Sequence, residues 1–332
     1  MSLRKIGFFI LSFVLVFSSC KKDDSVAGTV TIEIRDREEQ QLADNDSLID
    51  YLGTYYYNAG ELAEIGLDAG IQDIIISEIK VDDEYQLLMD NVVKESVTYE
   101  DTVYDYYVLE LNLGGGIESP TFADTVQILY EGTLLDNSVF DFKFFPDDNP
   151  LDLAGVITGW RRVIPNFNVA ESFVINDDGL VDYFNSGLGI MFLPSGLAYF
   201  SGAPTGIPSY SPLVFKFELL RTGENDHDGD GIPSYLEDLN GDGEFLLNSD
   251  VDTMDGDDTD NDGTPNYFDA DDDGDGVLTI NEDLEDTDLS VDSDGDGDFT
   301  NDKNGDGDPT NDDTDGDGIP NYLDPDDKIS KL

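Results

Sequence analysis

After Arg221 the chain changes character: aspartate and glycine take over, basic residues almost vanish, and a twelve-residue spacing recurs as far as residue 328. In each copy, oxygen-bearing side chains stand at positions one, three and five, glycine at six and often a carboxylate at twelve. A segment so poor in apolar residues cannot fold round a hydrophobic core, so whatever order it has must come from its oxygens. The fullest copy is DDDGDGVLTINE, with Asp271, Asp273, Asp275, Gly276 and Glu282. Asp226, Asp228, Asp230 and Glu237 form a second, Asp258, Asp260, Asp262 and Asp269 a third, and Asp313, Asp315, Asp317 and Asp324 a fourth. Weaker copies begin at Asp238, Asp292 and Asp302, where the twelfth residue is Ser249, Lys303 and Asp313. Alternate side chains on a tight turn converge on one point, glycine permits the bend, and a hard cation wants many oxygens. The pattern therefore predicts Ca2+ and not zinc, with affinities on the order of 10⁻⁴–10⁻³ M, as in extracellular modules.

With GIPSYLED, GTPNYFDA and GIPNYLDP following the acidic triplets, the stretch from Asp226 to Asp327 resembles thrombospondin type 3 repeats in their bacterial form. The cysteine pairs that staple the animal versions are absent, which leaves the metal to supply nearly all the order. Paired EF-hands or a dockerin module would need an amphipathic helix after each loop, and the proline in GIP and GTP stops such helices. A disordered, solvated acidic spacer is the competing reading, and the fixed glycine at position six argues against it. The formal net charge of −59 excludes nucleic acid as a partner, since phosphate would be repelled. His227, the sole histidine, falls between two presumed ligands and is expected to be exposed and inert, so histidine-based catalysis is excluded.

Upstream the chemistry is the opposite. Across residues 126 to 217, VQILYEGTLLDNSVFD, PLDLAGVITGW and LPSGLAYFSGAPTGIPSYSPLVFKFELL carry aromatic and aliphatic residues with almost nothing titratable. Such a set describes a dry concave pocket rather than an acid–base site, although any one of these residues alone would read as ordinary core. From about Asp124 to Arg221 the ordered motifs resemble an FKBP-type peptidyl-prolyl cis-trans isomerase domain. The resemblance implies an α+β fold, an antiparallel half-barrel wrapped on one short helix near Trp160 to Asn166. It also implies a pocket of Tyr130, Phe140, Asp141, Val156, Ile157, Trp160, Tyr199, Ile207 and Phe215. Within it the Ile157 backbone N–H and the Tyr199 hydroxyl would hold substrate carbonyls, Trp160 would carry the proline ring and Asp141 would sit at the wall.

Two features depart from the family pattern. Leu151 stands where the family usually has phenylalanine, which is expected to widen one wall. Asn176 to Gly189 reads as an insertion on the rim of the pocket, and Phe200, in place of the usual glycine after Tyr199, is expected to reshape the same edge. The implied activity is isomerisation of X-Pro bonds in secreted or surface polypeptides, with no cofactor for catalysis. A non-catalytic adhesion or docking protein, whose pocket merely grips a partner, is the alternative.

At the start, Arg4 and Lys5 precede an apolar run from Ile6 to Phe17, then Ser18, Ser19 and Cys20, the only cysteine. This resembles a bacterial lipoprotein signal, which implies cleavage before Cys20, its acylation, and attachment to the outer membrane on its periplasmic or outward face. The resulting division is a signal peptide over 1–19, a polar linker over 20–45, a partly helical segment over 46–100 without a nameable role, the isomerase-like domain over 101–223 and acidic repeats over 224–328. In the third of these, Asp46 is expected to cap a helix with Leu48, Tyr51, Leu52, Tyr55 and Tyr56 on one face. Tyr107, Leu109, Leu111 and Leu113 alternate as a strand that joins the domain, and Val126, Ile128 and Tyr130 alternate again.

Overall fold

The structure, a computed structural model, describes residues 34–146, 149–177, 179–248, 256–282, 316–326 and 328. The signal segment over 1–19, Cys20, and the ligand candidates Asp313 and Asp315 lie outside the described residues.

Helix α1 (Arg37–Thr54) opens at Asp36, whose carboxylate accepts the Glu39 N–H at 2.9 Å, with Glu38 and Glu39 in the first turn beside the positive helix end. The expected cap at Asp46 is thereby corrected: Asp36 supplies the cap, no helix breaker intervenes, and Asp46 lies within the helix. Residues 37–45, expected as polar linker, are its first turns. The apolar face forms as foreseen at Leu48, Tyr51 and Leu52, all buried, while Tyr55 ends the helix. Strand β1 (Tyr56–Tyr57) and helix α2 (Ala59–Ile65) follow, and β1 pairs antiparallel with both β2 (Ile76–Ser77) and β3 (Gln86–Leu87).

The main sheet is seven-stranded and antiparallel. It comprises β4 (Val93–Tyr99), β5 (Thr102–Asn112), β6 (Thr125–Thr133), β7 (Val139–Lys143), β8 (Leu151–Asp152), β11 (Gly187–Leu193) and β12 (Leu213–Gly223). The order is β4-β5-β11-β12-β6-β7, with β8 paired to β6, so the last strand in sequence lies between β11 and β6. Helix α3 (Thr158–Val163) is extended by a 3-10 turn over Ile164–Asn166. A hairpin of β9 (Ser172–Ile175) and β10 (Val181–Phe184) forms its own two-stranded sheet.

Both faces of the sheet are covered. Tyr104, Tyr106 and Val108 of β5 face a core shared with Trp160, Val163, Ile164 and Phe167 of the α3 region, whereas Tyr107 and Leu109 face the other way. That second face is closed by Leu48, Tyr51 and Leu52 of α1 together with Ile71, Ile74 and Leu88. β11 lies between the layers and is buried at every position, which explains why LGIMFL reads as a continuous apolar run rather than an alternation. The segment expected to stand apart over 46–100 is thus the back wall of the same domain, and its last strand, β4, is an edge of the main sheet.

Candidate prolyl site and acidic ion loops

Strands β6, β7, β8 and β12, helix α3 and two loops converge on one cavity of about 220 Å³, lined by Tyr130, Asp141, Leu151, Gly155, Val156, Ile157, Trp160, Tyr199 and Phe215. Tyr130 and Phe215 come from adjacent strands and Trp160 from the first turn of α3. The indole meets both rings edge-on, at 5.3 Å from Tyr130 and 5.3 Å from Phe215, and is only 4% exposed. Of the nine residues expected here, Phe140 and Ile207 stand off the lining. Phe140 packs edge-to-face behind Phe215 at 5.5 Å, and Ile207 belongs to the same core. Gly132 makes this possible, because a Cβ there would fall 2.6 Å from the Phe140 ring and 2.8 Å from that of Phe215.

Polar groups are few and directed. The Tyr130 hydroxyl donates to Asp141 Oδ2 at 2.9 Å. Burial, and secondarily the Asp141 charge, push the Tyr199 phenol above its ordinary range, so it remains a donor. Ile157 caps α3 with extended backbone, at the point where the chain enters the helix beside the cavity.

The loop bearing Tyr199 is held from the back layer. Asp44 of α1, 2% exposed, accepts the Ser195 N–H at 2.7 Å, the Ser195 hydroxyl at 2.5 Å and the Gln40 amide at 2.6 Å. Phe200 has φ 45°, in the left-handed region that favours glycine. Its ring is flanked by Tyr210, edge-on at 5.0 Å, and by the Arg37 guanidinium at 4.3 Å, contacts that oppose the backbone strain. The insertion is corrected in place and extent. Its hairpin borders grooves with Leu129 and Leu220 elsewhere on the domain, none of the described residues among 176–189 lines the cavity, and Gly187 to Gly189 are part of β11. Leu151, by contrast, does form a wall.

In the tail the acidic loops repeat one hydrogen-bond scheme. The carboxylate at position one accepts the N–H at position six: Asp226 from Gly231 at 3.1 Å, Asp258 from Gly263 at 3.1 Å and Asp271 from Gly276 at 3.3 Å. Each of those glycines has φ near +100°, a conformation that other residues avoid. After Pro233, Pro265 and Pro320 the chain makes one 3-10 turn and stops, with no EF-hand helix.

The triplets Asp226/Asp228/Asp230, Asp258/Asp260/Asp262 and Asp271/Asp273/Asp275 each bring one carboxylate oxygen per residue within 4.8 Å of the others. Glu237 closes on Asp230 as expected, but in a group completed by Asp272, which the loop pattern passed over. Position two of a loop ordinarily points away from that loop's ion. Here it reaches the first loop, that of Asp226 to Glu237, and the unbroken run Asp271-Asp272-Asp273 was its only trace in the sequence. Glu237 is 0% exposed and Asp272 1%, and neither carboxylate has a hydrogen-bond partner on either oxygen. Burial, then the Asp272 charge, pushes Glu237 up to about 10; burial, then the charges of Asp230 and Asp228, pushes Asp272 up to about 9. Asp269 and Glu282 fall outside these tight groups; Asp317 and Asp324 are described, but their partners Asp313 and Asp315 are not. His227 is corrected too. Its side chain is 8% exposed, bonded through Nε2 to Asp152 Oδ2 at 3.1 Å and set edge-on to Tyr267 at 5.1 Å.

An antiparallel sheet wrapped on one short helix, with a tryptophan flooring an aromatic cavity, is the architecture of a prolyl isomerase of the FKBP class. The chain belongs to the FKBP-type peptidyl-prolyl cis-trans isomerase family. It is 32% identical over 110 residues to FK506-binding protein 1A of Aspergillus fumigatus, covering 85% of that protein and 32% of this chain. It is 35% identical over 117 residues to the FKBP-type peptidyl-prolyl cis-trans isomerase FkpA of Escherichia coli K12, covering 36% of that protein and 35% of this chain. With FkpA of Aeromonas hydrophila it shares 31% over 154 residues, 49% of that protein and 46% of this chain. The chain thus matches between a third and a half of the length of these two FkpA proteins. Residues 227–290, in the acidic tail, match the family model described as BamM C-terminal.

Proposed function

We propose that the chain catalyses cis–trans isomerisation of X-Pro bonds in polypeptides outside the cytoplasm, held at the outer membrane by a lipid on Cys20, with a tail ordered by calcium. The observation that carries the first part is the cavity over Trp160, lined mostly by apolar residues with Tyr199 and Ile157 among them. Rotation about a peptide bond is opposed by resonance worth roughly 18–20 kcal/mol, while cis and trans X-Pro differ little in energy, so the barrier limits the rate. A site lowers it by preferring the twisted amide. Trp160, Tyr130 and Phe215 would pack the pyrrolidine ring and strip water from the amide, whose conjugation is strongest when hydrated. The Ile157 N–H and Tyr199 hydroxyl would then hold the carbonyls on either side, and no nucleophile or titrating group is needed.

The buried, unpartnered carboxylates support the calcium reading. Leaving such groups together without a counter-ion is costly, and an all-oxygen set on glycine-hinged turns suits a hard divalent cation. Asp226, Asp228, Asp230, Glu237 and Asp272 would hold ions at the first loop, and the Asp258 and Asp271 triplets would hold others; calcium would supply structural order, not chemistry.

The test of the activity is the cis-to-trans rate of a proline tetrapeptide with the full chain, beside Tyr199→Phe and Asp141→Ala. The full chain should exceed the uncatalysed rate, and the variants should lose roughly ten- to a hundredfold in kcat/KM, the cost of one or two directed polar contacts. A rate equal to the uncatalysed one, from protein with native circular dichroism, would leave a peptide-gripping pocket and no enzyme.

A further inference from the structure

The acidic tail is fastened to the helix that carries the pocket tryptophan. Glu244 lies 5% exposed between two arginines that follow Trp160 on α3. Its Oε2 is 2.5 Å from Arg161 Nη2, and its Oε1 is 3.0 Å from Arg162 Nη2. A buried carboxylate shared by two partly buried guanidiniums is a stiff joint, because withdrawing the arginines leaves the carboxylate without water or partner. Two further contacts flank it. Phe245 stacks on Tyr267 at 3.9 Å and meets Phe122 at 5.2 Å, and His227 reaches Asp152, the neighbour of the cavity residue Leu151.

The position of Glu244 is set by acidic turn geometry. It directly follows Gly243 in the loop opened by Asp238. There Asp238 Oδ2 accepts the Gly243 N–H at 2.7 Å, and Asp242 Oδ1 accepts the Glu244 N–H at 2.8 Å. Asp257, fully buried, ties the same stretch to the next loop by accepting the Leu239 and Leu246 N–H groups, each at 2.9 Å. Asp257 directly precedes Asp258, the first member of the Asp258/Asp260/Asp262 triplet, so the stretch that aims Glu244 at α3 is tied to the start of a candidate ion loop.

We propose that Glu244 is a positioning residue for the prolyl site, which passes ion loading of the tail through Arg161 and Arg162 to helix α3 and Trp160. This rests on the reading that the tail takes calcium. With ions in place the tail holds Glu244 against the arginine pair, α3 is clamped, and the indole stays square to Tyr130 and Phe215. Stripped of ions, the acidic loops spread, the joint opens, and the pocket floor is freed to move. Coupling of this kind is reciprocal, so a prolyl peptide in the cavity tightens calcium in the tail by the same factor.

Trp160 is the only tryptophan in the chain, so its emission reads the pocket floor directly. The experiment titrates calcium chloride into chelator-stripped full chain, following tryptophan emission while equilibrium dialysis counts bound calcium. The expected result is an emission shift that saturates with binding and a calcium-dependent rise in kcat/KM of about fivefold, the low end of coupling between sites. Glu244→Gln, and separately Arg161→Gln with Arg162→Gln from the other side of the joint, should bind as much calcium as the unaltered chain yet show neither the shift nor the rise. Calcium bound with Trp160 silent overturns the coupling and leaves the calcium reading standing. No calcium bound at millimolar concentration overturns both. A full emission shift in either variant removes Glu244 from the path.

Discussion

The half-barrel and the acidic tail bury opposite kinds of atom. In the first, Phe167, Phe217, Ile128 and Leu219 are at most 1% exposed; in the second the deepest side chains include Glu237 at 0%, Asp272 at 1% and Asp258 at 4%. Apolar burial is favourable by itself, at about 25 cal/mol per Å² removed from water. Carboxylate burial is unfavourable until a positive charge neutralises it, and Glu244 alone of the buried tail carboxylates named above meets arginines. One region carries its stability in its own sequence, while the other states a requirement that its surroundings must meet.

That contrast can be broken most forcefully by chelation. Stripping calcium should expand the tail, seen as a larger hydrodynamic radius that calcium restores, while the near-ultraviolet dichroism of the aromatic core keeps most of its intensity. A radius indifferent to both treatments would return the tail to the solvated spacers. Next in size, Phe217→Ala should cost about 3–5 kcal/mol in urea unfolding of the half-barrel, since the ring is fully buried and packs edge-to-face on Phe167 at 4.8 Å. The loss should be the same with and without calcium; a strong calcium dependence would show that the two regions do not stabilise themselves separately. The smallest effect is the most discriminating. Glu237→Gln removes a buried carboxyl that must hold its proton far above the ordinary range when no ion is bound, so in chelator at neutral pH it should make the tail more resistant to proteolysis. In calcium it removes a ligand and should weaken binding about tenfold, roughly 1.4 kcal/mol. The same sign in both conditions would deny Glu237 a place at an ion.

The sequence spoke clearly wherever chemistry was local or repeated. Val126, Ile128 and Tyr130 alternate because β6 puts its odd and even positions in different layers, and Trp160 lies on the short helix expected there. Glycine at position six is legible because left-handed backbone leaves almost no other choice. What stayed hidden depends on distant parts of the chain. The sequence pointed to Asp46 as the cap, and Asp36 emerges only with the surface that the longer α1 covers. Asp44 and Glu244 carry no motif, since their meaning lies in Ser195 and in Arg161 and Arg162, far off in sequence. The insertion was visible, but its far boundary was not, because Gly187 and Gly189 look like turn residues until β12 and β5 pair with their strand.

The place of β12 sets a timetable for the making of the molecule. Since the last strand is the one that joins β11 to β6, no emerging fragment short of Gly223 can complete the sheet, and both apolar layers wait on it. During synthesis the domain must stay open until its final strand arrives, with the acidic segment following behind. A chain stalled before that strand would present two unfinished apolar surfaces at once, which makes any truncation upstream of residue 213 a candidate for chaperones or proteases rather than a smaller version of the domain.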